Sequence, residues 1–291
     1  MNSTARCFSF VFVAALFLAP ALFAQSNKVD FPAASPGCTI KQHVGLTDIE
    51  IVYSRPSAKG RTIFGGVVPF DQVWRTGANA STKISFSTAV KLNGNSIPAG
   101  KYALYTIPGE KEWTVIISKD TAASIFTYSA TNDLVRFKVT PVDLKETRLE
   151  TFVIEFNHIR DESAIINLAW EKTLVPLKLE VEVVSKVVPQ IEAAMAASDK
   201  KQAGFYYQAA TFYFNHDLDL KKALSWLDTG LADKPRIAYE LLNLKAKILA
   251  KQENKDGAIA AAKESSELAV KAEGPGSSFV RMNQDLIDSL H

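Results

Sequence analysis

Residues 53–81, YSRPSAKGRTIFGGVVPFDQVWRTGANAS, gather Arg, Lys, Gly, Pro and Trp without the period of a strand or a helix. Arg55, Lys59, Arg61, Arg75 and Lys83 lie in or beside this stretch, against a single carboxylate, Asp71. Its glycines let the backbone turn, and Pro56 and Pro69 fix φ beside them. A stiff loop with fixed cations and free backbone N–H groups is suited to hold a carboxylate, sulfate or phosphate. The candidate ligand-binding set is Arg55, Lys59, Arg61, Asp71, Trp74, Arg75 and Asn79, with the hydroxyls of Ser54, Thr76 and Ser81 as further donors. The expected ligand is an anionic small molecule or glycan.

The same residues admit a structural role. Ile63, Phe64, Val67, Val68, Phe70 and Trp74 would plug the loop into a core while the arginines satisfy backbone carbonyls. Asp71 would pair with Arg55, Arg61 or Arg75, either aiming an arginine at a ligand or holding the loop. The catalytic residues of an enzyme are not readable here. A hydrolase or transferase acting on an anionic envelope component is the enzymatic alternative. It needs Asp71, His43 or His158 folded beside Arg61 and Arg75 as a base.

The remaining chemistry is sparse. His43, His158, His216 and His291 have no second histidine or cysteine at ligand spacing, so no metal is expected. Nucleophile-elbow, phosphate-loop and dinucleotide motifs are missing, and no cofactor is expected. Asp161 and Glu162 read as a solvated turn beside His158 and Arg160. Cys38 has no neighbouring base or cation to activate it.

The elements that must position the loop are of two kinds. Over 34–185 the pattern has period two. Strands are expected at 39–46, 48–54, 82–90, 101–106, 113–118, 134–139, 152–156, 163–170 and 173–184. Asn93-Gly94 marks a hairpin between 82–90 and 101–106. In the last strand Val175, Leu177, Leu179, Val181 and Val183 face one way and Lys178, Glu180 and Glu182 the other, and Pro176 marks it as an edge. Short strands without helical crossovers predict an antiparallel β-sandwich.

Over 186–291 the period becomes helical. Pro189 reads as a first-turn proline, followed by helices at 203–214, 220–231, 237–251, 256–271 and 277–290. Ala223, Leu227 and Gly230 recur as Ala258, Ala262 and Ser265 at an offset of 35, close to the ~34 of a tetratricopeptide repeat. The fold class is therefore α+β: a sandwich followed by tetratricopeptide-like helical hairpins. These either cap the sandwich or offer a groove to a protein or peptide partner.

Residues 1–24 read as a secretory signal peptide: Arg6, an apolar run too short to span a bilayer, then small residues ending at Ala24. Residues 25–33 would be a flexible mature N-terminus, and no integral membrane segment is expected after cleavage. The product would be exported, periplasmic or secreted, with Cys38 as its lone cysteine and hence no internal disulfide. A net charge of +2 supplies no field for nucleic acid, which is excluded as a partner.

Ser54-Arg55-Pro56, Lys59-Gly60-Arg61, Phe64-Gly65, Val68-Pro69, Trp74-Arg75-Thr76-Gly77-Ala78-Asn79 and Pro98-Ala99-Gly100-x-Tyr102 together resemble the bacterial family DUF2911, a domain of unknown function. The resemblance is close over 54–118 and extends over about 34–184. It implies an exported protein of a Gram-negative bacterium with a tetratricopeptide-like tail. It carries no activity and assigns no catalytic residue.

Overall fold

The computed structural model describes residues 30–197, 199 and 201–290. The expected signal peptide and the start of the mature chain lie outside them. Among the described residues no helix is long and apolar enough to cross a membrane.

Two antiparallel sheets form the first half. The first has strand order β1 (Gly37–Val44), β2 (Thr47–Ser54), β3 (Thr82–Phe86), β6 (Gly100–Ile107), β7 (Trp113–Ser118), β8 (Asp133–Val139). The second runs β10 (Leu149–Asn157), β11 (Ser163–Glu171), β12 (Thr173–Val181), β4 (Val90–Leu92), β5 (Asn95–Ile97), with β9 (Val142–Asp143) pairing β12. Inward residues at period two, such as Ile49, Ile51 and Tyr53 of β2 and Val175, Leu177 and Leu179 of β12, meet in one core.

Three expectations change. The strand expected at 82–90 breaks after Phe86, and the chain crosses to the other sheet. The Asn93-Gly94 turn therefore closes the small β4–β5 hairpin, while β3 pairs β6 directly, with Thr82 opposite Leu104. Pro176 lies on an inner strand, but between the short flanks β9 and β4, which pair β12 only at 173–174 and 179–181. There the missing N–H interrupts no ladder on that side. The third is the last strand, expected to run to 184, which ends at Val181 because a helix begins at Val184. Strands β6 and β7 are buried on both faces. Residues 119–132 fold over the outer side of the first sheet, covering Ala103, Tyr105 and Ile116 with Ile125 and Tyr128.

The second half is six helices: α1 (Val184–Ala196), α2 (Ala203–Asn215), α3 (Leu220–Leu231), α4 (Ala238–Lys251), α5 (Lys255–Glu273) and α6 (Ser278–Ser289). Helices α2 with α3 and α4 with α5 form antiparallel hairpins, and α6 packs on α5. The small residues at offset 35 are all buried in α3 and α5. A Cβ on Gly230 would lie 2.8 Å from Leu241 Cδ2 and 3.1 Å from Tyr206 Cβ, so a larger residue here would displace the Leu241 side chain between α3 and α4.

Pro189 sits inside α1 rather than in its first turn. The helix begins earlier because Glu162, in the β10–β11 turn, accepts hydrogen bonds from the N–H groups of Val183 and Val184 at 3.2 Å each. That carboxylate does the work of a missing N-cap side chain. It also lies 3.6 Å from the buried ring of His216, whose Nε2 is 3.7 Å from Asp161. With Val187 and Phe212 packed against the sandwich core, this turn joins the two halves.

A buried polar network fixes α4, α5 and α6. Asn243 donates to Asn283 at 2.7 Å, Asn283 donates to Ser265 at 2.9 Å, and Ser265 donates to the Tyr239 carbonyl at 2.7 Å. Replacing Asn283 by Ala strands several of these groups, and stability is expected to fall by about 2–4 kcal/mol, read from the urea midpoint.

Candidate functional site

The 53–81 segment has little regular structure, yet its backbone is anchored at both sheets. Entering from β2, it runs along β10: Ala58 N–H donates to the Glu150 carbonyl at 2.7 Å and Phe152 N–H to the Pro56 carbonyl at 2.9 Å. A turn follows in which Val68 N–H donates to Ile63 O at 2.9 Å and Gly65 N–H to Val68 O at 2.9 Å. The chain then crosses to β6. Trp74 N–H donates to Thr106 O at 2.7 Å, and Thr106 N–H returns a bond to Trp74 O at 2.9 Å. The segment thus closes one end of the sandwich from sheet to sheet.

Trp74 is the bolt of this closure. Its ring lies 6.0 Å from Trp170 at 22° and edge-on to Phe152 at 5.2 Å, Phe64 at 5.9 Å and Trp113 at 6.3 Å. Its Nε1–H donates to the Gly77 carbonyl at 3.0 Å. It is 8 % exposed, so the expectation that it faces a ligand gives way to a core role. Ile63 and Val68 are buried with it, whereas Val67 is exposed.

The backbone is strained where the loop is tightest. Lys59, Asp71, Thr76 and Asn79 have positive φ, at 50°, 58°, 51° and 59°. For a β-branched residue such as Thr76 this conformation is costly. It is stabilised by complete burial and by the Thr106 hydroxyl 3.1 Å away. A Cβ on Gly77, whose φ is 153°, would meet the Ser54 carbonyl at 3.0 Å.

The cations are held but not spent. Arg55 donates through Nε to Phe152 O at 3.0 Å. Arg61 donates to Ala58 O at 3.0 Å and Ser57 O at 2.8 Å. Arg75 donates through Nη1 to Asn79 O at 2.7 Å, and the Asn79 amide reaches Ser35 O at 3.2 Å and Ser54 Oγ at 3.3 Å. A guanidinium has five N–H donors. The rest of theirs have no protein acceptor among the described residues. Arg61 is exposed, and Arg55 and Arg75 are half-buried. The Lys59 ammonium is exposed and makes no ion pair among the described residues.

Two groups expected beside these cations are elsewhere. Asp71 pairs with none of the arginines: it lies on the β6–β7 side of the segment, its N–H bonded to Pro108 O at 2.8 Å. Lys83 follows the alternation of β3 to the outer face, donating to Ser81 Oγ at 2.7 Å and to the Thr121 carbonyl. Burial pushes its ammonium below the usual lysine range, with Asp120 opposing. The covering stretch 119–132 was not legible as a partner for Lys83; the lysine's outward register on β3 was the one available signal.

Neither His43 nor His158 is brought to the arginines; the carboxylate that reaches the rim is that of Glu150, which accepts from the Lys59 N–H at 2.7 Å. His43 pairs with Asp48 at 2.8 Å near the β1–β2 turn, whereas Arg55 follows the opposite end of β2, about 20 Å along the strand. His158 is six residues along β10 from the Phe152 carbonyl that anchors Arg55, again about 20 Å. Among the described residues no group of His, Cys, Asp and Glu is arranged to hold a metal ion.

These features define a two-sheet antiparallel sandwich whose end is sealed by a rigid cationic segment, with a helical half joined to it. Residues 35–179 match the family described as Protein of unknown function (DUF2911), which spans the sandwich from its first strand through most of β12. Neither the curated proteins nor the solved structures include one that matches this chain.

Replacing Trp74 by Ala should empty the aromatic cluster at this end of the sandwich and cost about 3–5 kcal/mol, with Trp74→Phe milder. Guanidinium unfolding of both variants reads the difference.

Proposed function

We propose that the protein is an exported, non-enzymatic binding or scaffold module of the cell envelope. Its cationic rim, Arg55, Lys59, Arg61, Arg75 and Asn79, holds the carboxylate, sulfate or phosphate of a small molecule or glycan. One observation carries this reading: each guanidinium is fixed through one edge by backbone carbonyls while its other donors face no protein acceptor among the described residues. A cation already fixed loses less side-chain entropy when it binds. The displacement of Asp71 supports the same reading, because the one acid of the segment does not neutralise the rim. Export rests on the signal-like residues 1–24.

The helical half is read as tetratricopeptide-like, on the hairpins α2–α3 and α4–α5 and the small residues buried at offset 35. In this reading it supports the sandwich through Glu162 and His216 and presents its outer helices to a protein or peptide partner. The hydrolase or transferase alternative is disfavoured by the ~20 Å that separates His43 and His158 from Arg55 along their strands.

Thermal unfolding in sulfate, phosphate and acidic glycan fragments tests the rim. A ligand at about 100 times its Kd adds roughly 2.7 kcal/mol, a shift of a few degrees. The shift should vanish in Arg75→Ala and Arg55→Ala, each otherwise melting near the parent. A shift that persists in both variants contradicts the assignment.

A further inference from the structure

On the other side of the same segment lies a cleft of about 290 Å³, between Phe64 and Phe70, the β6–β7 turn at Glu110, and the turns that carry Pro141, Asp143 and Lys172. Its floor is aromatic and held in place. A Cβ on Gly65 would sit 2.7 Å from Phe70 Cε2, so this glycine lets the Phe70 ring lie against the turn. The Phe64 ring is fixed edge-on by Trp113 at 4.8 Å. Both phenylalanine rings are half-buried, and Val142 beside them is 48 % exposed. Apolar surface is therefore left open to solvent at the mouth of a defined cleft rather than scattered.

The rim of the cleft selects the chemistry. Glu110, Asp143 and Lys172 are exposed, and among the described residues none of the three makes an ion pair. Two carboxylates and an ammonium thus line an apolar floor, with charge of both signs. An anion meets two carboxylates there and a cation meets an ammonium, whereas a neutral polyol satisfies all three: hydroxyls donate to the carboxylates and accept from Lys172. The C–H face of a sugar ring also packs on phenylalanine. Cavities of this size are at the small end for ligand sites and suit one ring rather than a chain.

We propose that this cleft is a saccharide subsite that takes a single neutral pyranose ring, stacked on Phe64 and Phe70 and hydrogen-bonded by Glu110, Asp143 and Lys172. It is separate from the cationic rim and does not depend on the rim binding an anion.

The test uses the full mature chain with methyl β-D-glucopyranoside and N-acetylglucosamine, read by tryptophan fluorescence and by saturation-transfer NMR of the sugar C–H protons. Saturable binding with Kd of roughly millimolar is expected, the range open to a ligand of about a dozen heavy atoms. Phe70→Ala should weaken it about tenfold or more, and so should the surface changes Glu110→Gln and Lys172→Ala, which leave the fold intact. Arg75→Ala should bind sugar as the parent does while losing any anion-induced thermal shift, so the two sites fail or succeed separately. No saturation by either sugar up to about 100 times the expected Kd, or binding unchanged in both Glu110→Gln and Lys172→Ala, overturns the proposal.

Discussion

The contact on which the rest depends is that of Trp74 with both sheets. Its peptide is exchanged with Thr106 of the first sheet by two backbone hydrogen bonds, and its ring lies against Phe152 and Trp170 of the second. A sandwich end otherwise exposes the ends of its inward side chains to water. Here an aromatic cluster fills it, each ring pair contributing about 0.5–1.5 kcal/mol beyond burial. This bolt adds to the Thr106 and Thr82 hydroxyls that hold the strained Thr76 in place beside Gly77.

Rigidity of this kind gives the segment two usable faces. On one, carbonyls of the segment and of β10 orient the arginines without exhausting their donors. On the other, Gly65 and Trp113 hold Phe70 and Phe64 beside an open cleft. The stretch 119–132 is treated differently: it is tied down by Lys83, and by the Ser81 and Tyr105 hydroxyls, both of which donate to the Ala123 carbonyl. It buries the outer face of β6 and β7 and withdraws one lysine from the cationic set.

Much of this architecture was legible in the sequence because local pattern and tertiary burial agree. The helices α2 to α6 stand within a residue or two of expectation, and the alternation in β12 holds as far as Val181, since their apolar faces are also their buried faces. What escaped depends on partners distant in sequence. The early start of α1 depends on Glu162, some twenty residues away, and periodicity holds no record of such a cap. The strand break after Phe86 follows from a change of sheet, which leaves the local alternation intact. For the site, the crowding of Arg and Gly identified the segment, but not its division. Asp71 is close to the arginines in sequence and faces another turn, and Trp74 carries an aromatic that serves the core.

The central claim is that the irregular 53–81 segment is as firmly held as the sheets it joins. Amide hydrogen exchange tests it most directly, at the N–H groups of Gly65, Val68, Asp71 and Trp74, each bonded to a backbone carbonyl. Protection within about tenfold of the β6 amides is the predicted result, because these groups open only when the sandwich end opens. Exchange at the rate of an unstructured loop, with β6 still protected, would contradict it: the arginines would then be tethered to a mobile chain, and the rim would not be preorganised.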